Sequence, residues 1–148
     1  MAKEDELPFA VAPRVRDACM CLHVQRAARA LARRFDEAFR PLDLTNGQFS
    51  LLMSLNGPTP PSIGAVSDVL AMDRTTLTAA LKPLERRGLV KVVRDENDRR
   101  SRLMMLTPAG RRLLAKAFPV WKRTQAAAER LVQESGADRV RSDLLALS

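Results

Sequence analysis

Between Asp73 and Gly110 the chain passes from a helical pattern to strand alternation and back to a helix start, and that order leaves few folds open. Asp73 reads as a helix cap, Leu77, Leu81 and Leu84 follow at i, i+4 and i+7, and Gly88 closes the helix. Leu89 to Arg94 alternates valine with charge, Asp95 to Asp98 is a turn, and Arg102 to Leu106 returns as a strand. Thr107-Pro108 then opens another helix, with Thr as cap and Pro in the first position. Upstream, Ser62 caps a short helix carrying Ile63, Val66, Val69 and Leu70, and a turn at Ala71-Met72 joins it to the next. Two helices joined by a short turn, with a hairpin beside the second, predict a helix-turn-helix carrying a wing.

The residue types at the exposed ends of this unit suit duplex DNA. The second helix opens with Arg74, Thr75, Thr76 and Thr78, and Lys82 lies further along. Threonine hydroxyls can bond base edges or phosphates, and their methyls can touch thymine. Arg74 can reach a phosphate or a guanine edge, and Lys82 the backbone. The hairpin tip carries Asp98, Arg99, Arg100 and Arg102. An acid two residues before an arginine predicts a carboxylate holding a guanidinium fork, poised for the negative potential of the minor groove. The bland alternatives are a helix turn that prefers small polar caps and a solvated charged turn.

Charge favours the first reading. Lys and Arg number 25 against 17 acids in 148 residues, a net charge of +8. The basic residues crowd around this unit, from Arg74 to Arg112. A membrane-surface role would want a basic amphipathic helix with bulky apolar anchors, and no apolar run approaches the ~18 residues that span a bilayer. The opening residues MAKEDELPFAVAP are acidic where a signal peptide is basic, so the expected location is the cytoplasm. No P-loop or GxGxxG is present, and the lone histidine completes no catalytic set, so no enzyme and no cofactor are expected.

Outside the unit the pattern is helical. Residues 1–13 read as a loose arm, because Pro8 and Pro13 oppose a helix. From Arg14 to Phe39 one helix is predicted, with Cys21, Val24, Ala28, Leu31 and Phe35 on its apolar stripe and Pro41 at its end. Thr45 and Gln48 form a capping box for a helix that buries Phe49, Leu52 and Leu55. The segment GPTPPS is a stiff loop. A helix from Thr107 runs to about Gln133, and Ala137 to Leu147 forms a last one, too short to stand without docking. Pro83 and Pro119 fall inside helices and should kink them.

The run from Leu44 to Leu114 resembles the winged-helix regulators of the MarR (multiple antibiotic resistance regulator) family. The resemblance rests on LTNGQFSLL, IGAVSDVLAMDRTTLTAALKPLERRGLV and DENDRRSRLMMLTPAG, with Asp98, Arg100, Leu106 and Thr107 similar to that family's wing signature. It implies a mainly α, winged helix-turn-helix chain. The DNA-binding lobe would span 45–107, and helices at 14–41 and 108–148 would pair two subunits. It further implies a homodimer on a pseudo-palindromic operator, with Arg100 in the minor groove, acting as a repressor released by a small molecule or an oxidant. Two alternatives stay open: a sequence-indifferent architectural DNA binder, and a winged-helix module for protein interaction.

Cys19, Cys21, His23 and Trp121 are the candidates for a signal site. A helix advances about 100° per residue, so two cysteines two residues apart point nearly oppositely and do not bridge. Cys21 would join the apolar stripe, and Cys19 would face His23 and Arg26. Oxidant-sensing relatives carry a reactive first-helix cysteine bonded by tyrosines, and this chain has no tyrosine, so packing thiols are expected. Cys19 and His23 alone do not make a metal site. Trp121 is either an aromatic wall of an effector pocket or part of core or dimer packing, and packing is expected.

Overall fold

The computed structural model describes residues 6–148. Seven helices and one hairpin follow in the order α1 (Val11–Ala18), α2 (Met20–Phe39), α3 (Asn46–Ser54), α4 (Ile63–Leu70), α5 (Arg74–Arg86), β1 (Val90–Arg94), β2 (Arg102–Leu106), α6 (Pro108–Glu129) and α7 (Ala137–Ala146). Among the described residues no helix is long and apolar enough to cross a membrane. The fold is mainly helical, with the antiparallel pair β1–β2 as the wing of a winged helix.

The caps form as their side chains dictate. Thr45 and Gln48 make the reciprocal box, Ser62 Oγ accepts from Ala65 N–H, and Thr107 Oγ1 accepts from Gly110 N–H. The α3 and α5 stripes bury Phe49, Leu52, Leu77, Leu81 and Leu84. Phe39 stacks on Phe49 with ring centroids 4.8 Å apart. Leu114 and Ala117 of α6 close the same core, so the end of α2 and the start of α6 are anchored to the winged unit.

The first helix differs from its pattern. Residue 19 is extended, with φ −72° and ψ 106°, and α1 ends there. Cys19 is the cap of α2, its Sγ accepting from Leu22 N–H at 3.4 Å. Cysteine is not among the strong cap residues, so no local signal marks that boundary. Pro13 falls in the first turn of α1, where its missing N–H has no intrahelical partner to lose. Of the predicted stripe only Phe35 is buried; Cys21, Ala28 and Leu31 are exposed, with Leu31 opening onto a groove rather than into the core. Val69 is likewise exposed. Of the arm expected at residues 1–13, residues 11–13 belong to α1 instead, and residues 1–5 lie outside the described residues.

The loop GPTPPS is more than a spacer. Met104 N–H donates to Pro61 O at 3.0 Å, and Ser62 pairs with Leu103, adding a short third rung to the wing sheet. Helices α5 and α6 both run through their prolines. The carbonyls four residues back belong to Ala79 and Ala115, both exposed, so solvent reaches what proline leaves unpaired.

The turn between α4 and α5 holds Ala71 in the left-handed region at φ 50°. Ser67 Oγ donates to Met72 O and Met72 N–H to Ser67 O, which pins it there. A Cβ is disfavoured in that conformation, so Ala71→Gly should raise unfolding stability by ~0.5–1 kcal/mol in urea titration. A loss of stability would show that the turn carries no such strain.

Candidate nucleic-acid interface

Helix α5 presents its first turn beside the wing. Asp73 Oδ1 accepts from Thr76 N–H at 2.8 Å and Oδ2 from the Thr76 hydroxyl at 2.6 Å. These two bonds, the hydroxyl's foremost, hold the Asp73 carboxyl below its ordinary pKa. The Thr78 hydroxyl donates to Arg74 O at 2.7 Å. Thr75 is exposed, and its hydroxyl makes no hydrogen bond among the described residues. Lys82 is exposed further along α5.

Arg74 lies back across the start of α4. A Cβ added at Gly64 would meet its guanidinium at 3.1 Å, so Gly64 gives the side chain room. A cleft of about 380 Å³ opens there, reached by Ser62, Arg74, Thr78, Asp98, Arg100 and Arg102. Two elements remote in sequence thus share one cationic notch. Ser62 was legible beforehand as a cap, whereas the part of Gly64 had no local signal.

The wing tip corrects one expectation. Asp98 Oδ1 accepts the backbone N–H of Arg100 at 3.0 Å, and Ser101 N–H donates to Asp98 O at 2.9 Å. The carboxylate therefore shapes the turn and does not hold the arginine's fork. A short side chain two residues before an N–H reaches it more easily than it reaches a long flexible guanidinium. Arg99, Arg100 and Arg102 are exposed. Among the described residues the ion pairs join Arg16 to Asp17, Arg40 to Glu37, Arg87 to Asp43, and Arg141 to Glu129 and Asp138. None of them neutralises Arg74, Lys82 or the wing arginines.

The signal candidates separate. Cys19 is half-buried and Cys21 exposed, the reverse of the expected stripe, since the break at residue 19 takes Cys19 out of the helix. Cys21 Sγ accepts from Gln25 Nε2 at 3.0 Å. His23 Nδ1 lies 2.8 Å from Cys19 O, which makes that nitrogen the proton donor. Among the described residues no three His, Cys, Asp or Glu side chains are grouped to hold a metal ion. Trp121 is half-buried, stacked at 6.4 Å from Phe49 and 5.8 Å from Phe118. With Phe49, Ser50, Met53 and Phe118 it lines a cleft of about 400 Å³, so one face packs on the core and another bounds open space. A second, more apolar groove of about 350 Å³ runs between α2 and α7, with Leu31, Phe35, Val132, Val140 and Leu144 in its walls.

A short helix, a recognition-type helix and a two-stranded wing on one core define a winged helix-turn-helix protein. The model of the MarR family matches residues 44–101. The transcriptional regulator MosR of M. tuberculosis, crystallised in complex with DNA, is 37% identical with a TM-score of 0.79, over 87% of this chain and 92% of that one. The chain belongs to the MarR family. The transcriptional repressor CouR, solved bound to a 23-mer DNA duplex, is 30% identical with a TM-score of 0.72, over 96% and 95% of the two chains. CouR has also been solved bound to p-coumaroyl-CoA. The transcriptional activatory protein BadR of Rhodopseudomonas palustris is 42% identical over 71 residues, 46% of this chain and 41% of BadR. The chain spans about half the length of the curated relatives it matches.

Proposed function

We propose that the chain is a sequence-specific, double-stranded-DNA-binding transcriptional regulator that acts in the cytoplasm as a homodimer on a pseudo-palindromic operator. The observation that carries this is the unneutralised notch where the first turn of α5 meets the wing arginines, one element sized for a major groove and one for the adjacent minor groove. In this reading residues 45–107 are the DNA-binding lobe, and residues 14–41 and 108–148 pair the subunits. The uncovered apolar side of α2 and the exposed Leu131, Leu144, Leu145 and Leu147 support that pairing. Arg74, Thr75, Thr76, Thr78, Lys82, Asp98, Arg99, Arg100 and Arg102 form the DNA surface, with Asp98 as the residue that shapes the turn.

Repression with release by a small molecule is the regulatory reading. MosR and CouR with DNA, and CouR with p-coumaroyl-CoA, are the relatives that support it. The Trp121 cleft is the proposed entry for such a ligand. BadR, an activatory protein, supports the opposite sign of control, which follows from where the operator sits relative to the promoter. Such regulators bind and do not catalyse.

The experiment is selection of bound duplexes from a random library at about physiological salt, where non-specific binding is weak. The expected result is an enriched inverted repeat with half-site centres about 10 bp apart. Salt-dependent binding without enrichment would favour an architectural protein, and no binding at any salt would favour a module for protein interaction.

A further inference from the structure

We infer that Thr75 carries the hydrogen-bonding base readout of α5, and that Thr76 and Thr78 do not. The inference rests on the DNA-binding reading above and goes beyond it, by separating three chemically equal threonines in one helical turn.

Two independent observations converge. The first is hydrogen bonding. The Thr76 hydroxyl donates to Asp73 Oδ2 and the Thr78 hydroxyl to Arg74 O, so both have their single proton directed into the protein. The Thr75 hydroxyl has no such partner among the described residues. It can turn its proton to a purine N7 or a thymine O4, or accept from an adenine or cytosine amino group.

The second is direction. Leu77, Leu81 and Leu84 mark the buried side of α5. At about 100° per residue, Thr75 stands about 150° around the helix from that stripe, Ala79 about 170° and Lys82 about 130°. Thr76 and Thr78 stand only about 90–110° away, on the flanks, and Arg74 about 50° away. Arg74 accordingly folds back over Gly64 and towards the wing. The outermost ridge of the helix is therefore Thr75, Ala79, Lys82 and, at its far end, Arg86. Ala79, one turn on from Thr75, is small enough to let that ridge approach base edges closely. Lys82 stands where a phosphate at the groove wall would pass.

Thr→Val exchange tests this, since valine keeps the shape and one methyl and removes only the hydroxyl. Duplex selection is run on the native chain and on Thr75→Val, Thr76→Val and Thr78→Val, with thermal unfolding to confirm that each is folded. The expected result is that T75V relaxes the preference at one base pair in each half-site by about three- to tenfold. Its salt slope should stay native, and T78V, whose remaining methyl still lies on the DNA surface, should shift base preference less than T75V does. T76V should shift base preference less than T75V does while melting earlier, because it loses a bond to the cap. Native preference retained by T75V, or a T76V or T78V change as large as that of T75V, overturns the inference and leaves the DNA-binding reading standing. No enrichment by the native chain removes that reading and the inference with it.

Discussion

Gly110→Ala is expected to lower unfolding stability by about 2 kcal/mol. Gly110 lies in the first turn of α6, where the chain returns from the wing against the start of β1. A Cβ there would be driven into the Leu89 carbonyl oxygen, and Leu106 Cδ2 would lie at 3.3 Å. The obstacle is backbone, so no side-chain rotation relieves it. Leu89 O also accepts from Thr107 N–H at 3.0 Å, and the Thr107 hydroxyl donates to Gly88 O at 2.6 Å. Pushing α6 away breaks that clasp as well. Helix propensity works the other way, since alanine is favoured over glycine by ~0.8–1 kcal/mol in a helix interior. Gly47→Ala provides the contrast: Gly47 is helical too, and its added Cβ would meet nothing nearer than Thr45 Oγ1 at 4.0 Å. Urea titration should show G110A destabilised and G47A unchanged or slightly stabilised. Equal behaviour of the two would mean that α6 and β1 do not approach as closely as described.

Arg100→Ala is expected to weaken operator binding by about tenfold or more and to flatten the plot of log K against log salt by about 2 for a dimer with two wings. Arg100 is exposed at the wing tip and free of ion pairs among the described residues. Its charge is therefore available to displace counterions. The geometry of Asp98 adds a discriminating variant. Asp98→Asn keeps the oxygen that accepts the Arg100 N–H and removes only the charge. Near-native affinity for D98N alongside a large loss for R100A is the expected pair. A comparable loss for D98N would restore the carboxylate–guanidinium fork. Unchanged affinity and slope for R100A, measured by fluorescence anisotropy across a salt series, would remove the wing from the mechanism.

Both predictions concern positions whose importance was only half visible in the chain. The motif LTPAG announced a helix start at Thr107-Pro108, and Asp98 to Arg102 announced a cationic turn. That Gly110 is the contact point of two backbones, and that Asp98 serves the turn, depend on which groups the fold brings within reach. The MarR-family assignment came from the resemblance carried by the motifs between Leu44 and Leu114, while the winged helix and the location of the candidate DNA surface were legible because they are written in local chemistry. Caps at Thr45, Ser62, Asp73 and Thr107, the leucine spacing of α5 and the alternation of the wing each act within a few residues. Such patterns fix where hydrogen-bonding rings open and close and which side of an element is apolar.

The first helix shows where local chemistry stops. Its periodicity is continuous through Cys19, yet the chain breaks there and a thiol caps α2. Its apolar stripe is real, yet Leu31 stays exposed within the single chain. Spacing states which residues share a face; it does not state what covers that face. In α5 the two claimed threonine hydroxyls bond partners only three and four residues back, whereas the reach of Arg74 over Gly64 towards the wing joins separate elements and needed the folded chain. By itself the sequence determined the elements from α3 to α7, their order and the charge of one surface, because those follow from contacts a few residues apart. The tertiary structure decided where separate elements meet, Arg74 over Gly64 and Gly110 against Leu89, and which apolar faces are covered, because those contacts depend on how the elements pack and not on spacing within any one of them.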